Sequence, residues 1–492
     1  MQPSLEEVRQ ILTEDSYKVI PFSREILADM NSPIRVLGIL KGAGSHCFLL
    51  ESMEDSRRWG RYSFLGYDPK MELTCEGGKL TINRKTECQI ITERPQEKIR
   101  EILREHRAPR LPGLPSLTGG LIGYFAYDYI QYSEPYLKLD AEDQEHFKDV
   151  DLMLFDKIIA FDHLKQKMIL IYNLKISPGK TAEALCREAE DQLDAMEALI
   201  QKGHVEVPDG RMTSELRPLF GKEAYCAMVE RARHFIYEGD IFQVVLSNRL
   251  EADFEGSLFN AYRYMRLNNP SPYMFYFSSN DLEIAGASPE TLVKLEDGIL
   301  RTFPLAGTRP RGNSEEEDQR LCRELLLDEK ECAEHNMLVD LGRNALGKIS
   351  RFGSVKVEKY MDVVKYSHVM HIASMVESEI AEGKDALDAI ASVLPAGTLS
   401  GAPKVRACEI INELEKNRRG IYGGAIGYLD FTGNMDTCIA IRIAFKKNGK
   451  VFIRSGAGIV ADSVPEKEYQ ECINKAQAVV SALKKTQGGA AL

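Results

Sequence analysis

The chain has 492 residues, of which 44% are hydrophobic and 28% charged, with a formal net charge of −11. That length gives room for more than one lobe with its own core, and the balance is that of a globular protein, not a disordered or fibrous one. The acidic excess argues against a general nucleic-acid or anionic-membrane partner, so an anionic ligand has to be held by a local site.

The opening MQPSLEEVRQILTED lacks the basic segment and apolar run of a signal peptide, and no stretch approaches the roughly 20 apolar residues of a membrane span. The ten cysteines are scattered from Cys47 to Cys472 without a C-x-x-C pair, which suits free thiols in a reducing cytoplasm. Up to about residue 200, strand-like runs alternate with polar turns: HCFLLES, RYSFLGYDP and DLMLFDKIIAFDHLKQKMILIYNL, rich in β-branched and aromatic residues. LPGLPSLTGGLIGYFAYD reads as a loop feeding a packed strand or helix, and Thr181 to Lys202 as an amphipathic helix with Leu185, Leu193, Met196 and Leu199 on its apolar face. KGHVEVPDGRMTSELRPLFGKE, broken by Pro and Gly, marks a boundary near residues 203–221 between an N-terminal lobe (1–205) and a C-terminal domain (220–486). The latter mixes strands such as GDIFQVVLSNRL, GAIGYLD and KVFIRSG with helices at 222–238, 328–348 and 464–486. Strands in clusters, without strict alternation with helices, indicate an α+β fold.

In the helix from Leu327 to Leu346, Glu331 and Glu334 are three apart, and Leu338, Leu341 and Ala345 continue their face. Two carboxylates at the head of a buried stripe want a cation, although the helix dipole alone also favours acids there. The last helix repeats the arrangement. Ser463 and Glu466 form a capping box around Pro465, and Glu468 and Glu471 lead into Lys475, Val479 and Leu483. Two Glu pairs point to a hard divalent ion, Mg²⁺, and the absence of E-x-x-H motifs argues against a di-iron bundle. GAGIVA, from Gly456 to Ala461, matches a dinucleotide fingerprint only weakly and reads better as a glycine turn offering backbone N–H groups to a carboxylate. Arg442, in TCIAIRIAF, is a cation within a run otherwise fit for a buried strand and demands an anion. His368 and His371 have helical spacing but no companion Cys or His for zinc. No G-x-S-x-G or G-x-C-x-G elbow occurs, which argues against covalent acyl chemistry and an internal glutaminase. PAGTLSGAPK reads either as a plain turn before a helix or as a mouth holding an anion.

Taken in order, GDIFQVVLSNR, GASPETLV, PLAGTRPRG, KECAEHNMLVDLGRN, YSHVMHIAS, PAGTLSGAPK, IYGGAIGYLD, DTCIAIR and SGAGIVADSVPEKEYQE resemble the chorismate-utilising enzymes, and within them the anthranilate synthase branch. The resemblance spans nearly the whole chain and implies a two-lobed layered β-sandwich core flanked by helices. It implies Mg²⁺ on a carboxylate of chorismate, with Glu334 and Glu471 as ligands and Glu331 and Glu468 in support. Gly307, Thr308, Tyr422, Arg442, Gly456, Ala457, Gly458 and Lys475 would hold the substrate. Glu290 would be the general acid for the departing C4 hydroxyl, kept protonated by a low-dielectric pocket, with His371 and Thr398 serving the later steps and pyruvate elimination. PAGTLSGAPK would be a wall of the site, with Lys404 and the dipole of the helix begun at Pro403 adding positive potential.

Gln243 stands where water-adding members carry a lysine base, and Ala306 where the aminodeoxychorismate synthases carry an attacking lysine, so ammonia would add directly at C2. The expected activity is formation of anthranilate, the first committed step of tryptophan biosynthesis. Ammonia would come from a separate glutamine amidotransferase subunit in a cytoplasmic hetero-oligomer. LLES and NPSPYMF place a tryptophan feedback site at Ser52, Pro272, Tyr273 and Met274. The alternatives are an aminodeoxychorismate synthase large subunit and a non-catalytic tryptophan sensor. The sensor is disfavoured by the presence of all four glutamates, Glu290 and His371.

Overall fold

Runs of β-branched and aromatic residues favour sheets over helices, and the computed structural model, which describes residues 1–53, 60–84, 87–91, 94–365 and 369–486, contains two large ones. Among the described residues they have 13 and 12 strands, paired antiparallel. The first runs from Val19–Leu27 through Cys47–Glu51, Tyr273–Ser278, Leu282–Ser288, Ile443–Lys447 and Lys450–Ile459 to Gln243–Gly256 and a short terminal strand. The second runs from Leu305–Pro310 through Val369–Glu379, Thr291–Glu296, Met435–Ile439, Ala425–Asp430 and Gly120–Phe125 to Glu87–Ile91.

The sheets stack face to face. Between them lies a core from both, in which Phe48, Phe275, Phe445 and Phe452 of the first sheet meet Ile122, Phe155 and Ile426 of the second. Phe48 and Phe155 meet edge to face, with ring centres 4.9 Å apart. The outer faces are covered by helices: Ala182–Lys202, Phe259–Asn268 and Pro465–Thr486 on the first, Pro95–Arg104, Glu329–Gly347 and Ala386–Val393 on the second. The α+β reading and the three long C-terminal helices are as the sequence indicated. The boundary near 203–221 divides the chain and not the sheets, because Cys47–Glu51 pairs with Tyr273–Ser278 and Gly120–Phe125 with Ala425–Asp430.

One feature of the topology positions the site. The strand Leu282–Ser288 in the first sheet is followed, after Pro289 and Glu290, by Thr291–Glu296 in the second. Alongside it, Met435–Ile439 of the second sheet passes through residues 440–442 into Ile443–Lys447 of the first. Gly286 pairs with Ile443 on one side of the crossing and Thr291 with Cys438 on the other. A two-stranded ribbon therefore steps from sheet to sheet. Its rungs are the Ala287 N–H to the Arg442 carbonyl, 3.2 Å, and the Ile439 N–H to the Glu290 carbonyl, 3.0 Å. Arg442 is thus not inside a strand, as its apolar surroundings suggested. It sits at the break, with φ of 51°, because the chain turns sharply there to change sheets.

Candidate active site

The crossing opens into a cavity of about 600 Å³ between the helices Glu329–Gly347 and Pro465–Thr486. Glu290 and Arg442 reach it from the two connecting segments. Burial pushes the Glu290 carboxyl up to about 7 against the pull of a hydrogen bond from Thr398 and the charges of Lys475 and Arg442. The Thr398 hydroxyl donates to Glu290 Oε1 at 3.0 Å, and the Ser288 hydroxyl accepts the Glu290 N–H at 3.3 Å. A carboxyl held this way can give up a proton near neutrality, as a general acid must.

Gln243 opens the strand Gln243–Gly256, and its buried side chain leaves Oε1 without a partner in the fold while the amide reaches toward Glu334. Gly456, Ala457 and Gly458 are not a turn. They lie within Lys450–Ile459, paired with Ser247, Leu246 and Val245. The glycines are there for lack of a Cβ, since one on Gly458 would stand 2.7 Å from Gln243 Nε2 and one on Gly456 would stand 2.6 Å from the Leu246 carbonyl. Strand alternation sends Ala457 to the opposite face, into the core with Val244 and Leu246, so it does not reach the cavity.

All four sequence-named glutamates line the cavity, Glu331 and Glu334 from one helix and Glu468 and Glu471 from the other. Burial raises the carboxyl of Glu334, and the charge of Glu331 adds to it; burial and then Glu471 do the same to Glu468, against a bond from Ser463. Lys475 Nζ bonds Glu471 at 2.7 Å and the Gly456 carbonyl at 3.2 Å. Arg309 lies 3.4 Å from Glu331, so compensation of the four carboxylates is partial, and the remainder fits a divalent cation. No three of the four bring ligand atoms within 4.8 Å of one another, so an ion here would take a few carboxylates plus oxygens from substrate or water, the habit of Mg²⁺. The tight carboxylate trio among the described residues, Glu72, Asp151 and Asp281, already has the Lys148 ammonium 3.1 to 3.7 Å from each. The expected capping box is displaced. The last helix starts from the Val464 carbonyl, and the Ser463 hydroxyl instead accepts the Val460 N–H at 3.1 Å.

Gly307, with φ of 69°, lies at an irregularity in the pairing of Leu305–Pro310 with Val369–Glu379, where a Cβ would meet Glu331 Oε2 at 3.2 Å. This bulge turns Thr308 and His371 toward each other. His371 Nδ1 is 2.9 Å from the Gly307 carbonyl, which accepts its proton, and 3.0 Å from the Thr308 hydroxyl. Burial lowers the imidazole pKa and keeps the ring neutral. His371 is on a strand, not a helix, and His368 lies outside the described residues. Tyr422 forms part of the buried floor, with the Arg419 guanidinium 5.9 Å from its ring centre.

The stretch PAGTLSGAPK behaves as a wall, though not as an anion-holding helix mouth. A short turn at Gly397–Leu399 presents Thr398 and Leu399 to the cavity, and Gly401–Ala402 pairs with the start of Gln243–Gly256. Lys404 turns away. Its ammonium donates to the carbonyls of Val393 (2.9 Å) and Ser392 (3.4 Å) at the end of the helix Ala386–Val393, and burial lowers its pKa to about 8. It therefore does not line the main cavity.

Sequence reading missed Lys330, whose charge acts on Glu334 and Glu468, and Arg454, which is 1% exposed and lines the cavity while bound to Ser247 (2.8 Å) and Glu415 (2.8 Å). Arg454 carried the same signal as Arg442, a cation inside an apolar run.

A second cavity, about 550 Å³, lies between the sheets and is lined by Ser52, Pro272, Tyr273 and Met274. The four residues named from LLES and NPSPYMF thus meet in space. Further members, Arg61, Phe64, Tyr428 and Asp436, come from distant segments.

A family model described as chorismate binding enzyme matches residues 45–481. The chain belongs to the chorismate binding enzymes. Among relatives in this family, anthranilate synthase component 1 of Acetivibrio thermocellus is 45% identical over 98% of each chain. That of Aquifex aeolicus is 43% identical over 98% of this chain and 97% of its own. The crystal structure of anthranilate synthase component I from Streptococcus pneumoniae superposes with a TM-score of 0.73 at 38% identity, covering 92% of this chain and 98% of that one. An isochorismate synthase from Escherichia coli, 20% identical with a TM-score of 0.69 over 97% of this chain and 98% of its own, shares the fold. Among the described residues, no helix of this family member is long and apolar enough to cross a membrane.

Proposed function

We propose that this chain is the chorismate-handling subunit of an anthranilate synthase. Lys475, Arg442, Tyr422, Thr308 and the glycine-lined strand hold chorismate against the crossing of the sheets. Ammonia forms a bond to C2, the ring double bonds shift, and the C4–O bond breaks, with Glu290 giving its proton so that the hydroxyl leaves as water. Loss of the C2 proton and of the enolpyruvyl group then gives pyruvate and the aromatic product. His371, neutral and with its Nδ1 proton turned to Gly307, has the protonation state required of a base. Glu334 and Glu471, supported by Glu331 and Glu468, would hold Mg²⁺, which when bound supplies charge neutralisation for a substrate carboxylate.

The observation that carries this reading is the pairing of Glu290, poised near neutrality, with Gln243, a neutral amide that lines the same cavity. A neutral amide does not deprotonate water, which suits ammonia as the nucleophile. Ala306 offers no amine, which favours direct attack over the aminodeoxychorismate route. With no glutaminase elbow in the chain, ammonia is delivered by a separate amidotransferase subunit, in a cytoplasmic hetero-oligomer. The cavity between the sheets, apolar at Leu50, Phe64 and Met274 and charged at Arg61, Lys294 and Asp436, suits an aromatic amino acid, and we assign it to inhibitory tryptophan.

The test is the blue fluorescence of anthranilate from purified protein, chorismate, Mg²⁺ and ammonium, repeated with EDTA and with glutamine in place of ammonium. Product that needs Mg²⁺ and ammonium, and is not formed from glutamine, supports the reading. Chorismate consumed without anthranilate indicates the aminodeoxychorismate branch, and chorismate left untouched indicates a sensor.

A further inference from the structure

One side chain that lines the cavity between the sheets reaches the segment that carries Glu290. Tyr273, the first residue of Tyr273–Ser278, pairs with Ser288, the last residue before the crossing that carries Glu290. Its phenol reaches the second sheet, where the hydroxyl lies 2.9 Å from Thr291 Oγ1 and 2.9 Å from Asp436 Oδ1. With the carboxylate as acceptor, the proton order is fixed: Thr291 donates to the phenol oxygen and the phenol donates to Asp436. Such a chain is stronger than its separate bonds.

Thr291 directly follows Glu290. Thr291 stands opposite Cys438, and the pairing of its strand with Met435–Ile439 becomes irregular between Thr291 and Val293, so its side-chain bond anchors the segment where the ladder is interrupted. Tyr273 and Asp436 line the cavity between the sheets, whereas Thr291 does not. An occupant of that cavity therefore meets one end of the chain of bonds, while the other end sets the segment bearing the acid.

We propose that the Tyr273 hydroxyl is a positioning group for Glu290, and that an aromatic amino acid in the cavity between the sheets inhibits by withdrawing it from Thr291. The inhibitory half rests on the assignment of that cavity to tryptophan. Glu290 keeps its bonds to Thr398, Ser288 and Ile439 when the link breaks, but its segment loses the side-chain anchor at Thr291 and is held there by the pairing with Cys438 alone. Lys475, Tyr422 and Thr308, assigned to chorismate, lie on other elements, and Arg442 is tied through its carbonyl to the Ala287 N–H, on the other side of Glu290 from Thr291. The effect thus falls on kcat and not on KM.

Thr291→Val tests this, since it removes the hydroxyl at nearly constant volume and leaves the cavity lining intact. Loss of one buried hydrogen bond to the reacting segment should lower kcat about 3- to 10-fold with KM for chorismate unchanged within about 2-fold. Tryptophan, followed by calorimetry, should bind the variant no more weakly than the wild type, and about 3- to 10-fold more tightly if the whole bond is broken on binding, while its maximal inhibition shrinks. Thr291→Ser, which keeps the hydroxyl, should restore both, and Tyr273→Phe should reproduce the loss of kcat. Wild-type kcat and full inhibition in Thr291→Val overturn the proposal. So does a loss of tryptophan binding that tracks the loss of inhibition, because the hydroxyl would then serve the cavity itself. Wild-type protein that binds no tryptophan sinks the assignment of the cavity and the inhibitory half with it, while the kcat comparison without ligand still decides the positioning half.

Discussion

Glutamates occupy two neighbouring regions of this molecule under opposite electrical conditions. Behind the cavity, Glu415 is 1% exposed and clamped between Arg419 at 2.5 Å and Arg454 at 2.8 Å, with the Ser247 N–H and hydroxyl on the same carboxylate. Despite its burial, those fixed cations hold its pKa below the usual range. At the cavity itself, Glu334 and Glu468 are raised by burial and by a second glutamate one turn away. Where compensation is built into the fold, the carboxylate is structural. Where like charges are gathered with only partial compensation, the site is suited to a cation brought by a ligand.

The largest effect should come from Glu415→Ala. It leaves two arginines buried with their shared partner gone and should cost about 3–5 kcal/mol of stability, read as a lowered urea midpoint. The comparison breaks if that variant is as stable as the wild type. Glu334→Gln should behave in the reverse way. Stability stays equal or rises slightly as repulsion with Glu331 is lost, while Mg²⁺-dependent activity falls about 100-fold or more. A Glu334→Gln protein that unfolds more easily yet keeps its activity would place this residue with Glu415.

The smallest effect concerns pH. Glu290, Glu334 and Glu468 all have folded pKa values above their unfolded ones, so the folded state binds more protons. Stability should therefore fall as pH rises from the ordinary carboxylate range toward about 7, the value for Glu290, and then level off. Added Mg²⁺ should recover a few degrees of Tm above that window and little below it, where protons compete for the same oxygens. A Tm shift on adding Mg²⁺ that does not depend on pH would argue against the four glutamates as its site.

Local pattern exposed part of this arrangement. The spacing of Glu331 with Glu334 and of Glu468 with Glu471 needed only the helical period. The roles of Glu290, Gln243 and Thr398 came from the resemblance, because nothing in SPE, IFQVV or GTL marks a site by itself. The crossing of the sheets was invisible, since it depends on Thr291 meeting Cys438 across almost 150 residues of chain. Gly456 and Gly458 were misread because glycine serves two needs, a positive φ or a missing Cβ, and sequence does not say which. Lys404 was misread because its direction depends on where the helix Ala386–Val393 ends in space.

The sharing of both sheets between the two halves of the chain also bears on how the protein is made. Cys47–Glu51 and Gly120–Phe125 each pair on one edge within the N-terminal half, but on the other edge with Tyr273–Ser278 and Ala425–Asp430. At roughly 5–20 residues per second, a ribosome needs on the order of 15 to 60 s to extend the chain from the earlier partner to the later one. Through that interval the nascent N-terminal half carries open strand edges and half of a hydrophobic layer, the surfaces that chaperones bind and that aggregate when left alone.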